Sequence, residues 1–265
     1  MCEIVYNILI TNFTVHRCII RSNAPSNLQM QPLGCIFVYA LNCITFGTAI
    51  DPAAGSGNFL TETYISLRRL ENDALYEEHR GQMMLGGEGE YNPIQVSIGQ
   101  FYGIEINDFA VTVAKTALWI AESQMMQETE KLMQINLNFL PLKSYANIVE
   151  GNALRIDWES VVPKEKLNYI MGNPPFVGYS LQSKEQKSDI LSIYVDEKGK
   201  PYKTAGKIDY VAGWYFKATM LMIGTEIRTA FVSTNSITQG EQVAGVWKPL
   251  YDRFGIHIDF AHRTF

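Results

Sequence analysis

The residues with the clearest chemical capability are four consecutive ones, Asn173, Pro174, Pro175 and Phe176. The side-chain oxygen of Asn173 and the main-chain carbonyl of Pro174 can each accept one N–H hydrogen bond. Two such acceptors suit the alkylation of an exocyclic amino group on a planar ring, because they localise the nitrogen lone pair and hold it in line with an electrophilic methyl group. Phe176 can then stack on the ring. The alternative is that the prolines only end a strand in an α/β protein, since a four-residue motif needs context.

A second chemical signal lies upstream, where residues 48–60 predict the end of a strand, a glycine turn and the start of a helix. The turn lacks the Gly-Lys-Ser/Thr ending of a phosphate-binding loop and the third glycine of a dinucleotide fingerprint, so it does not indicate a phosphate site. Asp51 at its mouth would repel phosphate and suit a ligand that carries an ammonium group. The glycine turn and the Asn-Pro-Pro-Phe stretch together resemble the amino-methyltransferases that use S-adenosylmethionine.

The third signal is Glu105, at the carboxyl end of a strand predicted at residues 100–106. A carboxylate placed after a glycine turn and a helix can accept hydrogen bonds from both hydroxyls of a ribose. Ile106 would lie against the adenine ring of the cofactor. A solvent-exposed loop carboxylate is the alternative, and the strand context favours the ribose site over it.

Several segments together are similar to one branch of these enzymes, the DNA adenine-N6 methyltransferase domain of MmeI-like type II restriction-modification enzymes. The resemblance covers roughly residues 46–265 and leaves residues 1–45 as an atypical N-terminal segment. It implies a Rossmann-like S-adenosylmethionine-dependent methyltransferase fold, an α/β architecture with a mostly parallel sheet and helices on both faces. It depends on the segments 51–60, 63–72, 103–107, 151–158, 172–178 and 262–265.

The resemblance implies that the chain transfers a methyl group from S-adenosylmethionine to the N6 amino group of an adenine flipped out of double-stranded DNA. It assigns Asn173, Pro174, Pro175 and Phe176 to catalysis. It also assigns the edge of the cofactor's adenine to Asn152, where many relatives carry Asp. The predicted cofactor-binding residues are Asp51, Pro52, Ala53, Gly55, Gly57, Asn58, Phe59, Glu105, Ile106, Asn152 and Ala153.

In that family a nuclease and a helical spacer precede this domain and a target-recognition domain follows it, and 265 residues leave no room for them. We therefore expect an isolated core, incomplete at its carboxyl end, that acts on DNA with a separate specificity or nuclease polypeptide. The sequence before the glycine turn shows no match to the family motif that helps hold the methionine part of the cofactor.

Three alternatives to this function stay open. The chain can be a non-catalytic remnant that binds only cofactor or partner, a protein-glutamine methyltransferase or a cytosine-N4 methyltransferase. Segments 63–72 and 262–265 favour the DNA branch over the glutamine branch.

Composition indicates a globular protein without a strong DNA-binding charge. With 47% hydrophobic and 18% charged residues and a net charge of −5, the chain lacks a basic footprint for phosphates. All four cysteines fall in residues 1–45 without zinc or redox spacing, which favours free thiols in a reducing cytoplasm. The apolar run 34–50 is short and interrupted, so we expect no membrane span. The histidines have no metal-ligand spacing, so no metal is predicted.

The elements that must position these residues alternate between strand and helix, which predicts a mostly parallel sheet with both ligands at the carboxyl ends of its strands. The polar stretch 183–207 is interpreted as a solvated loop, with a mobile lid or a DNA-backbone contact as the alternative. Asp209 is expected to cap the helix at 210–223. Strands are predicted at the end of 34–50 and at 100–106, 147–150, 167–171, 228–232 and 256–260, and helices at 58–78, 107–127, 210–223 and 243–254.

Overall fold

The computed structural model describes residues 47–79, 93–134 and 146–258, and residue 261. The predictions for residues 1–45 and 262–265 lie outside these ranges, as does the end of the strand predicted at 256–260. Residues 256–258 are described and do not form a strand.

The centre of the described structure is a sheet of five strands in the spatial order β3-β2-β1-β4-β5. All neighbouring strands run parallel, which confirms the predicted α/β sheet. The chain order reverses between β1 and β4, so a crevice opens there outside the carboxyl ends of the strands. The strands are β1 (Ala49–Asp51), β2 (Phe101–Glu105), β3 (Asn147–Glu150), β4 (Tyr169–Gly172) and β5 (Arg228–Phe231).

Helices connect these strands and cover both faces of the sheet. The last helix follows a helical turn at Gly240–Gln242 and a π-helical turn at Val243–Trp247, so the continuous α-helix expected at 243–254 is only partly correct. The helices are α1 (Asn58–His79), α2 (Asp108–Met133), α3 (Lys184–Ile193), α4 (Ala212–Met222) and α5 (Lys248–Phe254).

Two hydrophobic cores lie on opposite faces of the sheet. Ile50 and Ile170 pack with residues of α4 and α5, whereas Ala49 and Met171 pack with residues of α1 and α2. Successive side chains of a strand point to opposite faces, which explains this division. The sheet is therefore buried on both sides, and its strand ends are the places left for a ligand.

Helix α2 is longer than predicted. It ends at Met133 rather than near residue 127, because Thr129 and Met133 continue its buried face beyond Met125. Its start follows the prediction, since Asn107 caps it by accepting a hydrogen bond from the main-chain nitrogen of Ala110 at 3.1 Å.

The interpretation of residues 183–207 as a solvated loop was wrong for its first half. That half forms helix α3, which Ser183 and Gln186 start through a capping box. Asp189 and Ile190 of α3 are buried, and so is Tyr194 just after it. The sequence pattern does not indicate this helix, because only one short face is apolar and charged residues surround it.

The prediction that Asp209 caps a helix was also wrong. Helix α4 begins at Ala212 after Val211, and no side chain caps it. The carboxylate of Asp209 instead accepts hydrogen bonds from the main-chain nitrogen of Tyr179 at 3.0 Å and from the hydroxyl of Ser236 at 2.6 Å. Asp209 thus joins the loop after β4 to the loop after β5.

Candidate active site

The glycine turn connects β1 to α1 and has a backbone that only glycine fits well. Gly55 has φ +54° and Gly57 has φ +84°, both in the left-handed region. A Cβ on Gly57 would lie 2.9 Å from the Cβ of Ala114, so glycine also lets α2 approach the turn. Asn58 and Phe59 follow as the first residues of α1. The turn therefore presents main-chain atoms and the first turn of a helix at the crevice.

Asp51 lies at the bottom of this turn and is fully buried. Its Oδ1 accepts a hydrogen bond from the main-chain nitrogen of Ala53 at 2.8 Å, and its Oδ2 has no partner among the described residues. Burial raises the pKa of this carboxyl to about 7; the hydrogen bond from Ala53 opposes the change, and the charge of Glu105 adds to it. An unpaired buried carboxylate oxygen is suited to bind a cationic group of a ligand.

Asp51 also touches the strand end from which the Asn-Pro-Pro-Phe loop departs. A Cβ added to Gly172 would lie 2.3 Å from Oδ1 of Asp51, so only glycine allows this approach. The contact arises because β1 and β4 are neighbours in the sheet. The structure therefore brings the predicted cofactor turn and the predicted catalytic loop together at the crevice.

The Asn-Pro-Pro-Phe loop itself is held at both ends and open in the middle. The main-chain carbonyl of Gly172 accepts a hydrogen bond from the nitrogen of Val232, and that of Val177 accepts one from Tyr210, both at 2.9 Å. Between these anchors Asn173 is exposed and Pro174 is buried. Pro175 and Phe176 are exposed too, Phe176 by 36%. The side chains of Asn173 and Phe176 are thus available to a ligand on a loop that is anchored at both ends.

Glu105 extends from the end of β2 towards the glycine turn. Its Oε2 accepts a hydrogen bond from the nitrogen of Gly55 at 2.8 Å, and its Oε1 accepts one from the nitrogen of Asn107 at 3.0 Å. Each carboxylate oxygen has further lone-pair capacity, so these two bonds orient the group without exhausting it. Ile106 beside it is 67% exposed. The pair offers a hydroxyl acceptor next to an apolar surface.

Asn152 lies in the turn after β3 and has partners at both ends of its side-chain amide. Oδ1 accepts a hydrogen bond from the nitrogen of Leu154 at 2.9 Å, and Nδ2 donates to Oδ2 of Asp189 at 2.9 Å. Arg155 Nε donates to the other oxygen of Asp189 at 2.7 Å, and the Tyr210 hydroxyl donates to Oδ2 at 3.1 Å. Asp189 was not among the predicted site residues, because it falls in the polar stretch 183–207 that was interpreted as a solvated loop.

The turn that holds Asn152 is stabilised by two side chains that donate hydrogen bonds to its main-chain carbonyls. The indole nitrogen of Trp158 and the ammonium group of Lys217 both donate to the carbonyl of Ala153, each at 2.8 Å. Lys217 also donates to the carbonyl of Ile156 and lies 5.3 Å from the centre of the Trp158 ring. Burial lowers the pKa of Lys217 to about 8, while the charge of Asp157 opposes this change. Trp158 thus serves packing and support.

The remaining predicted residue, Pro52, is held through its main-chain carbonyl. It is buried, and its carbonyl accepts a hydrogen bond from the indole nitrogen of Trp214 at 2.9 Å. The bond fastens the glycine turn to α4. No group of three or more metal-ligating side chains occurs within the described ranges, and no helix there has the length and apolar character needed to cross a bilayer.

The fold and the position of these loops define a Rossmann-like α/β domain with a ligand crevice at the switch between β1 and β4. Comparison with known proteins gives the family. Residues 40–265 match the family model described as "MmeI, DNA-methyltransferase domain". The chain belongs to this family.

Two relatives support the assignment. "DNA methyltransferase A" of Bacillus subtilis (strain 168) is 45% identical over 218 residues, which are 81% of this chain and 24% of that protein. A solved structure of the type IIL restriction-modification enzyme MmeI in complex with DNA aligns with a TM-score of 0.74 and 41% identity, over 83% of this chain and 29% of that chain. The chain therefore spans less than a third of either relative.

Proposed function

We propose that this chain is the catalytic core of a DNA adenine-N6 methyltransferase of a restriction-modification system, with S-adenosylmethionine as methyl donor. The observation that carries the proposal is the contact between Asp51 and Gly172. Because of it, the turn that would hold the donor and the loop that would hold the accepting amine meet at one point. Methyl transfer needs this proximity of donor and acceptor.

The cofactor residues offer groups of the right chemistry for S-adenosylmethionine, which supplies an electrophilic methyl group when bound. The unpaired Oδ2 of Asp51 suits its ammonium group. Glu105 suits the ribose hydroxyls, and the exposed side chain of Ile106 suits one face of the adenine. Asn152 offers a polar edge to the same ring.

The acceptor residues offer two oxygens and one ring. The Oδ1 atom of Asn173 and the carbonyl of Pro174 would each accept one N–H of the target amine, and Phe176 would stack on the flipped base. A base inside a duplex cannot reach the crevice, so it must leave the stack first. The amine nitrogen would form its bond to the methyl carbon as the carbon–sulfur bond of S-adenosylmethionine breaks, which would release S-adenosylhomocysteine. The additional N–H proton would leave afterwards to solvent, so the chain would need no general base before transfer.

Affinity for the duplex must come mainly from elsewhere. The net charge of −5 gives little attraction to phosphates. The solved relative bound to DNA is more than three times as long as the matched part, since that part is 29% of its chain. We propose that a further polypeptide or domain supplies the contacts to DNA and the choice of target sequence.

The experiment that tests the cofactor half of the proposal is calorimetric titration of the chain with S-adenosylmethionine. We expect micromolar binding that is lost in the Asp51→Ala, Glu105→Ala double variant. The control is Glu197→Ala with Asp252→Ala, which also removes two carboxylates but from exposed positions, and it should bind as the wild type does. No binding by the folded wild-type chain would contradict the proposal and favour a remnant that binds only partners.

A further inference from the structure

The carboxylate of Asp189 faces the donor end of the Asn152 amide. Asp189 is 5% exposed and accepts hydrogen bonds from Asn152, Arg155 and Tyr210. Arg155 uses Oδ1, whereas Asn152 and Tyr210 use Oδ2. The pKa of Arg155 is raised by its hydrogen bond to Asp189 and by the charge of that residue.

Only one orientation of the Asn152 amide satisfies both of its neighbours. An ionised carboxylate can only accept, so it requires the Nδ2 end; the main-chain N–H of Leu154 can only donate, so it requires the Oδ1 end. Turning the amide over would place Oδ1 against the Asp189 carboxylate and Nδ2 against an N–H group. Both contacts would then be repulsive.

This fixed orientation decides what Asn152 can offer a ligand. Its nitrogen end donates to Oδ2 of Asp189, and the same oxygen accepts a hydrogen bond from the Tyr210 hydroxyl. Its oxygen end carries one hydrogen bond, from Leu154, and has a second lone pair. The oxygen end therefore offers an acceptor to a ligand.

We propose that Asp189 is a positioning residue that makes Asn152 act as a hydrogen-bond acceptor and so selects adenine over hypoxanthine in the cofactor. Adenine presents an N6 amino donor, which an acceptor binds. Hypoxanthine presents an O6 acceptor at the same place, which leaves two acceptors facing each other. The inference rests on the proposed function, because it takes the ring beside Asn152 to be the cofactor's.

The experiment measures binding of S-adenosylhomocysteine and S-inosylhomocysteine by calorimetry and compares their dissociation constants. The wild-type chain should prefer the adenine compound by about a hundredfold, because a mismatched edge leaves site groups unpaired. In Asp189→Asn the new amide can donate or accept, so Asn152 can turn over with the loss of only the Leu154 bond. We expect the preference to fall about tenfold, the effect of one charged hydrogen bond.

The matched control is Arg155→Met. This variant breaks the same ion pair from its other, largely exposed side and leaves the carboxylate of Asp189 in place. It should change the binding of both compounds equally, so the ratio should stay at the wild-type value. A fall in the ratio as large as that of Asp189→Asn would overturn the proposal, because it would assign the effect to the lost ion pair.

A charge swap gives a second, independent readout. Asn152→Asp combined with Asp189→Asn places an obligate acceptor at position 152 and a donor behind it, and it should restore the wild-type ratio. If Asp189→Asn fails to fold, this swap decides: a restored ratio supports the proposal and a ratio near one overturns it.

Two other outcomes are distinguishable. A folded Asp189→Asn variant with an unchanged ratio would overturn the role of Asp189 alone. A wild-type chain that binds neither compound would overturn the proposed function and this inference with it.

Discussion

Asp51 and Gly172 form the contact through which the two halves of the candidate site meet. The buried carboxylate and the glycine of the neighbouring strand leave no room for a methyl group between them. The site therefore requires glycine at position 172. Changes at these two positions therefore test the geometry directly.

Gly172→Ala should disturb both stability and cofactor binding. The added Cβ would lie 2.3 Å from Oδ1 of Asp51, so the carboxylate or the strand must move. We expect a loss of about 1–3 kcal/mol in the free energy of unfolding, the usual effect of overpacking a core. Urea unfolding and titration with S-adenosylmethionine measure the two effects. Gly206→Ala, where a Cβ meets nothing within 4 Å, is the control and should be close to neutral.

The raised pKa of Asp51 predicts two opposite responses to pH. Burial raises this pKa from 3.8 to about 7, so between these values the folded state binds more protons than the unfolded one. The contribution of Asp51 to the stability of the ligand-free protein is therefore present below pH 3.8 and lost as the pH rises through about 7.

Binding of an ammonium-bearing cofactor should strengthen over the same range, because it requires the ionised carboxylate. As the pH rises towards 7, we expect the dissociation constant to fall about tenfold per pH unit. Above pH 7 it should level off. Calorimetry across this range measures the effect, and Asp51→Asn should remove it. Affinity independent of pH in the wild type would show that the cofactor does not use this carboxylate.

Helix α3 is the element that links the turn holding Asn152 to the rest of the fold. Its buried residues Asp189 and Ile190 face in different directions, one to Asn152 and the other into the core beneath α4. Although the surface of α3 is polar, its two buried residues fix the helix to the core and to Asn152. A mobile lid at these residues would leave Asn152 without its partner.

Ile190→Ala should show that α3 is folded in solution. Ile190 is completely buried, and removal of its side-chain methyl groups should cost about 2–5 kcal/mol of unfolding free energy. Its neighbour Leu191 is 40% exposed, and Leu191→Ala should cost less than about 1 kcal/mol. Urea unfolding of the two variants gives the comparison. Equal, small effects would indicate the solvated loop that the sequence suggests.

Strand ends were predictable from the sequence, and contacts between distant loops were not. Asp51, Glu105 and Asn173 each follow a short apolar run, and parallel strands bring such ends to one edge. The contact of Asp51 with Gly172 depends on β1 lying beside β4, which local patterns do not specify. The contacts of Asp189 and Asp209 were not predicted for a related reason. Each residue hydrogen-bonds to residues at least 20 positions away along the chain.

At the level of the whole molecule, the negative net charge limits how tightly the isolated chain can bind duplex DNA. Its net charge is −5, so we expect binding to duplex DNA weaker than micromolar at physiological salt. Fluorescence anisotropy with a labelled duplex measures this affinity. Nanomolar binding by the isolated chain would contradict the view that a further domain or polypeptide supplies the DNA contacts.

The central claim is that Asn173 holds an adenine amine for methyl transfer. The most direct measurement incubates the chain with plasmid DNA and S-adenosylmethionine, digests the DNA to nucleosides and identifies methylated bases by mass spectrometry. We predict N6-methyladenine with the wild type and none with Asn173→Ala, which should bind the cofactor as tightly as the wild type does. N4-methylcytosine in place of N6-methyladenine, or N6-methyladenine at the wild-type level with Asn173→Ala, would contradict the account.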